Sequence, residues 1–192
     1  LERRVNLLAS EGNPNSDVSL PTVILRLDAR NQAALFEMGT RGHGQLEYLA
    51  GLAAPSIGVV TTVAPVHVET LGSLAGIARA KAELLRAIPA TGVAIYNADS
   101  VELGAELAEG GVVAWPVSFG FGEAADVRAA DAVTVFSRAG DRIEASLSFA
   151  VECRPGATAE RLGLPAGHRL TATIPYPGIH NVTNVLAAAL AA

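Results

Sequence analysis

The chain has 192 residues, 50% of them hydrophobic, and a formal charge of −5. That length can bury one sizeable core, and an acidic balance with no basic run argues against nucleic acid as a partner. No apolar run is long enough for a bilayer and no segment reads as a signal peptide. The single cysteine, Cys153, excludes an internal disulfide and fits a reducing compartment.

The first elements read as α/β. Leu1 to Ala9 ends in an apolar run that suggests a strand. Glu11 to Asp17 is a polar turn holding Asn13 and Asn15, and the stretch after Leu20-Pro21 is apolar. An Asn-rich turn before a helix accounts for this segment as well as a binding loop does. Ala33 to Phe36 is a second strand, closed by Glu37-Met38-Gly39. In open α/β sheets ligands sit beyond the carboxyl ends of the strands, so Glu37 is either a functional carboxylate or a solvated one. His43, with a glycine on each side, reads as a loop residue. Tyr48 to Ala53 suggests a short helix broken by Pro55.

The stretch from Val59 to Leu85 organises the chain. Ile57, Val59 and Val60 end at Thr61-Thr62 as a buried strand meeting a loop, and the loop carries Pro65, His67, Gly72 and Ser73. A helix follows, with Leu74, Ile77, Ala78, Leu84, Leu85 and Ile88 on one stripe, Ser73 as N-cap and Pro89 as the stop. Lys81 falls on that stripe and is the only lysine among 14 Lys and Arg residues. It either snorkels from the stripe's edge or sits desolvated, with its pKa lowered and the neutral amine available for chemistry. Glu37 and His67 follow two successive strands and would meet at one sheet edge, half of a magnesium site that keeps waters and phosphate oxygens.

Val93 to Tyr96 is the next strand, ending in Asn97-Ala98-Asp99, with Asp99 either functional or the cap of a helix from Val101 to Glu109. Val112 to Trp115 suggests another strand. Ser118 to Gly122 is Gly-rich but lacks the helix and Lys of a phosphate loop. From Asp131 the period changes to two: Ala132 to Ser137 and Ile143 to Val151 form a hairpin turning at Arg138 to Asp141, and Arg169 to Ile174 is a further strand. The expected fold is a mostly parallel sheet flanked by helices, with a small antiparallel appendage. Last comes Pro177-Gly178-Ile179-His180-Asn181-Val182-Thr183-Asn184, opening a helix from Val185 to Ala192. Asn181 and Asn184 share a helix face, as cap residues or as amides able to donate and accept at a ligand edge.

Taken together, Thr61-Thr62, His67-Val68-Glu69, Gly72-Ser73, and Ala78 to Leu84 with Lys81 and Glu83 resemble the central domain of the Mur ligases. Glu37-Met38-Gly39 with Arg41 to Leu46, and the Pro177 to Asn184 string, are similar to that family too, in its D-alanyl-D-alanine-adding branch. The resemblance implies a phosphate-loop NTPase-like fold and a cytoplasmic enzyme of peptidoglycan biosynthesis. Such an enzyme uses ATP and Mg2+, joins D-alanyl-D-alanine to UDP-MurNAc-tripeptide through an acyl phosphate, and acts as a monomer when whole. It also implies Glu37 and His67 as magnesium ligands, Lys81 carbamylated at a second metal, Asn13 and Asn15 near the substrate, and His180, Asn181 and Asn184 toward the nucleotide. Thr62 replaces the family's usual Asn.

The family's G-x-x-G-K-[ST] loop cannot lie within these residues, because the only lysine, Lys81, follows Ala80. The chain starts at Leu1 rather than Met and stops inside an Ala/Leu-rich run. A partial central domain is therefore expected over residues 1–192, without the phosphate loop or C-terminal domain. The rivals are another Mur-type ligase, related to folylpolyglutamate or cyanophycin synthetases, and a non-catalytic Mur-like binding domain.

Overall fold

The computed structural model describes residues 5–66, 68–139, 142–165 and 167–192. A short strand β1 (Leu7–Ala9) pairs in parallel with β2 (Ala33–Leu35), with helix α1 (Ser19–Ile24) between them. Helix α2 (Gln45–Ala53) leads to β3 (Ile57–Val60), which does not join that pair but opens a second sheet. Next come α3 (Val68–Leu71), α4 (Leu74–Arg86), β4 (Val93–Asn97), α5 (Val101–Ala108) and β5 (Trp115–Gly120). The long strands β6 (Val127–Ala139) and β7 (Arg142–Cys153) follow, then α6 (Ala157–Arg161), β8 (Arg169–Ile174) and α7 (His180–Ala191).

The second sheet has the order β3-β4-β5-β6-β7-β8. Its first three pairings are parallel and its last two antiparallel. The antiparallel strands expected from the sequence thus continue the parallel sheet. Side chains alternate across it, as strand geometry requires. Ala94 of β4 packs with Ala78, Ala82, Leu85 and Leu103 of α4 and α5. Its neighbour Ile95 packs on the other face with Phe119, Phe149, Val182 and Leu186, which brings in α7. The result is three layers, helices on both faces of one sheet.

Several expected boundaries move. The strand expected at Val112 to Trp115 begins instead at Trp115, because Gly110 and Gly111 both hold positive φ (98° and 92°) and turn the chain first. Pro116, which lacks the N–H a central strand needs, is tolerated because β6 pairs with β5 only at Phe119 and Gly120. The terminal helix starts five residues before Val185, at His180, so the HNxxN string lies within it. The short α3 and α6 were not expected. The Gly140-Asp141 end of the hairpin turn lies outside the described residues.

Candidate active site

Helix α4 begins as its sequence prescribes. Ser73 is the N-cap, and its hydroxyl accepts from the Gly76 N–H at 3.1 Å. Ile77, Ala78 and Leu85 are buried, whereas Leu74, expected on the same stripe, is exposed at the helix's first position. Lys81 is half-buried at the edge of this face, and its Nζ donates to the Thr62 carbonyl at 2.8 Å. Burial alone lowers its pKa from the ordinary 10.5. Asn97, buried at the end of β4, donates from Nδ2 to the Thr61 carbonyl at 2.9 Å. Two consecutive carbonyls after β3 are therefore held from two different elements.

Lys81 lines a cavity of about 620 Å³ together with Glu37, Thr61 and Val66. Its walls are β2 on one side and β3 on the other. Among the described residues, β2 pairs only with β1 and β3 only with β4, so the edges bordering this cavity carry no strand. β2 and β3, the two successive strands expected to bring Glu37 and His67 to one sheet edge, belong to two different sheets. His67 itself lies outside the described residues.

Glu37 is exposed, and its Oε1 accepts from Asn15 Nδ2 at 3.2 Å. The same amide donates to Asn13 Oδ1 at 3.0 Å. The Gly39 N–H donates to the Asn15 carbonyl at 2.8 Å. Asn13 and Asn15 line a second, polar cavity of about 870 Å³ with Arg41, His43, Gln45 and Tyr48. The sequence-predicted residues Asn13, Asn15 and Glu37 are therefore linked by hydrogen bonds, and Glu37 reaches Lys81's cavity.

The predicted nucleotide residues lie elsewhere. Asn181 Nδ2 donates to the Pro177 carbonyl at 2.9 Å, so part of its amide closes the turn into α7. Asn184 and His180 are exposed, and none of the three lines either cavity. Asp99 does not cap α5, whose N-cap is Ser100. Its carboxylate instead accepts from the N–H groups of Phe121 (2.8 Å) and Gly122 (2.9 Å). A Cβ at Gly120 would lie 2.7 Å from Asp99 Oδ1, which explains one glycine of the Ser118 to Gly122 run without any phosphate.

Glu83 and Asn97 escaped the sequence reading as site residues, although both stand inside strings quoted from the chain. Their signal was proximity to a motif residue, and it gains meaning only once α4 and β4 are seen flanking the β3 loop. The described donors suit a hard cation only in part: Glu37 offers a carboxylate, whereas Lys81 offers an amine that ligates only after modification. No cluster of three His, Cys, Asp or Glu side chains suited to a metal occurs among the described residues.

A family model described as the Mur ligase middle domain matches residues 1–192. This chain belongs to the Mur ligase middle-domain family. Over 95 residues, 50% of the chain, it is 38% identical to the UDP-N-acetylmuramoyl-tripeptide--D-alanyl-D-alanine ligase of Escherichia coli K12, of which that stretch is 21%. The ligase of the same name from Mycobacterium tuberculosis H37Rv is 40% identical over 93 residues, 48% of this chain and 18% of that protein. Among solved structures, MurF from Acinetobacter baumannii superposes with a TM-score of 0.76 at 26% identity, covering 98% of this Mur ligase domain and 37% of that chain. MurF from Thermotoga maritima in complex with ADP gives 0.77 at 20% identity, covering 100% and 39%, a likeness of fold alone. The chain thus spans under two fifths of these relatives. Among the described residues, no helix is long and apolar enough to cross a membrane.

Proposed function

We propose that this chain is the larger part of the ATP-binding domain of a ligase that joins D-alanyl-D-alanine to UDP-MurNAc-tripeptide. The observation that carries the reading is the cavity between β2 and β3 that Glu37 and Lys81 both line, in a chain whose curated relatives are ligases of that name. ATP would phosphorylate the tripeptide's terminal carboxylate, and the amine of D-alanyl-D-alanine would then displace the phosphate. Glu37 and His67 would hold magnesium, whose charge offsets that of the phosphoryl oxygens, and carbamylated Lys81 would support a second metal.

The chain's own residues prepare this site. Asn15 fixes the Glu37 carboxylate by hydrogen bond. Burial raises the neutral fraction of Lys81, the form that adds carbon dioxide: an N–C bond forms, one amine proton leaves to solvent, and a carbamate remains. Asn13 and Asn15, with Arg41 in the same polar cavity, suit an acidic acyl substrate. Asn181 retains its side-chain oxygen for the adenine, with Asn184 on the same helix face and His180 beside them.

The phosphates need a cradle that residues 1–192 do not encode. Among the described residues β2 and β3 each leave one edge unpaired, and a further strand seated between them would pair with both at the usual spacing of about 4.8 Å. The α-helical crossover α2 between β2 and β3 is the connection used between parallel strands. A strand entering there in parallel would open its carboxyl end beside Glu37, Thr61 and Lys81, where a phosphate loop is required. A G-x-x-G-K-[ST] encoded within a few dozen codons upstream of Leu1 is the expected finding, and a coding sequence without one would favour the non-catalytic reading.

A further inference from the structure

Gly44 is the N-cap of α2, at φ +79°, and has no side chain with which to cap it. Its N–H and that of Glu47 are among the amides that a helix N-terminus leaves without intrahelical partners. In a capping box, side chains at those two positions satisfy both groups reciprocally. Here one carboxylate from another helix takes both: Glu83 of α4 accepts from Gly44 N at 2.7 Å through Oε1 and from Glu47 N at 3.5 Å through Oε2. His43 Nδ1 lies 3.7 Å from the same Oε1, and the Glu83 side chain is only 14% exposed. Negative charge is favoured at this end of a helix.

The clamped segment is a wall of the polar cavity. Thr40, Arg41, His43 and Gly44 line it opposite Asn13 and Asn15. Three anchors hold this segment: the Asn15 carbonyl at Gly39, Gln45 Oε1 at the Arg41 N–H (2.7 Å), and Glu83 at Gly44. Of these anchors only Glu83 belongs to α4, the helix that carries Lys81 two residues earlier.

We propose that Glu83 is a positioning residue: by capping α2 from α4 it fixes the Gly39–Gly44 wall of the polar cavity relative to Lys81, and so sets the binding of the acidic acyl substrate. The clamp stands on the geometry alone; the substrate rests on the ligase reading above. Glu83 touches no reacting atom in this assignment. Its loss should therefore loosen the acyl substrate while sparing the nucleotide.

Two measurements on the whole protein carrying this chain test it. In hydrogen exchange, Glu83→Ala should speed the Gly44 and Glu47 amides by roughly tenfold or more, with Ile95 in the core unchanged. Unchanged exchange at Gly44 and Glu47 would overturn the clamp. In kinetics, Glu83→Gln should raise KM for UDP-MurNAc-tripeptide about tenfold, the loss of one charged hydrogen bond, and leave the ATP KM within about twofold. Glu83→Asp, which keeps the charge, should recover part of that loss. A fall in kcat with both KM values unchanged, or an equal rise in both, would refute the positioning role. A whole protein without ligase activity would refute the ligase reading, and the exchange result would still decide the clamp.

Discussion

Lys81 depends on its surroundings more than any other residue in the site. On a solvated helix face it would stay protonated; half-buried against the Thr62 carbonyl, its pKa is lowered. The direction has a consequence for pH. A lowered pKa means a larger neutral fraction at any given pH, so carbon dioxide should add to Lys81 at a lower pH than to an exposed lysine. Carbon-13 NMR under labelled bicarbonate should therefore give a carbamate signal that Lys81→Ala removes, apart from that of the α-amino group. In the whole enzyme Lys81→Ala should nearly abolish activity, with partial rescue by a small carboxylic acid in the buffer. Normal activity in Lys81→Arg would reduce the residue to packing or charge, because a guanidinium stays protonated and forms no carbamate. Asn181 makes a double prediction. Asn181→Ala should cost about 1 kcal/mol of stability through the lost bond to Pro177, and should raise the ATP KM by the equivalent of about 1–3 kcal/mol. A stability loss with unchanged ATP KM would leave it a turn residue.

At the scale of elements, α4 is held on β3 and α5 by a core of alanines and leucines and by one ion-pair cluster. Glu106 of α5 is buried, and pairs with Arg86 at 2.9 Å and with Arg79 at 3.6 Å. Arg86→Met should leave that carboxylate short of its nearer partner. We expect a loss of about 3 kcal/mol, the scale for stripping a buried pair, measured as a lowered urea midpoint with unchanged slope. Gly120→Ala should drive the Asp99 carboxylate off the Phe121 and Gly122 amides and destabilise the same half of the sheet. Helix α4, its Ser73 cap and strand β8 were legible in the sequence because period, cap and length agreed there. Strand β5 was misplaced because a paired glycine and a proline outweigh local β propensity, and only the reach of β6 decides where Pro116 is allowed. The link from Asn15 to Glu37 spans 22 residues and the clamp from Glu83 to Gly44 spans 39. No local pattern reports such distances, so the site residues could be named from sequence but not joined.

At the scale of the molecule, the β1-β2 pair and the β3 edge of the six-stranded sheet border one cavity, and Glu37, Thr61 and Lys81 line it. Positioning supplies most of the catalysis in phosphoryl transfer, and magnesium leans on substrate phosphates for much of its hold. A site lacking the phosphate cradle should therefore be chemically silent, however well its other groups are placed. The most direct test is phosphate release with ATP, magnesium, UDP-MurNAc-tripeptide and D-alanyl-D-alanine, run on residues 1–192 and on the whole protein, with calorimetry of ATP binding alongside. The whole protein should release phosphate only when both substrates and metal are present, and residues 1–192 should release none and bind ATP too weakly for physiological use. Tight ATP binding or metal-dependent turnover by residues 1–192 alone would contradict the account.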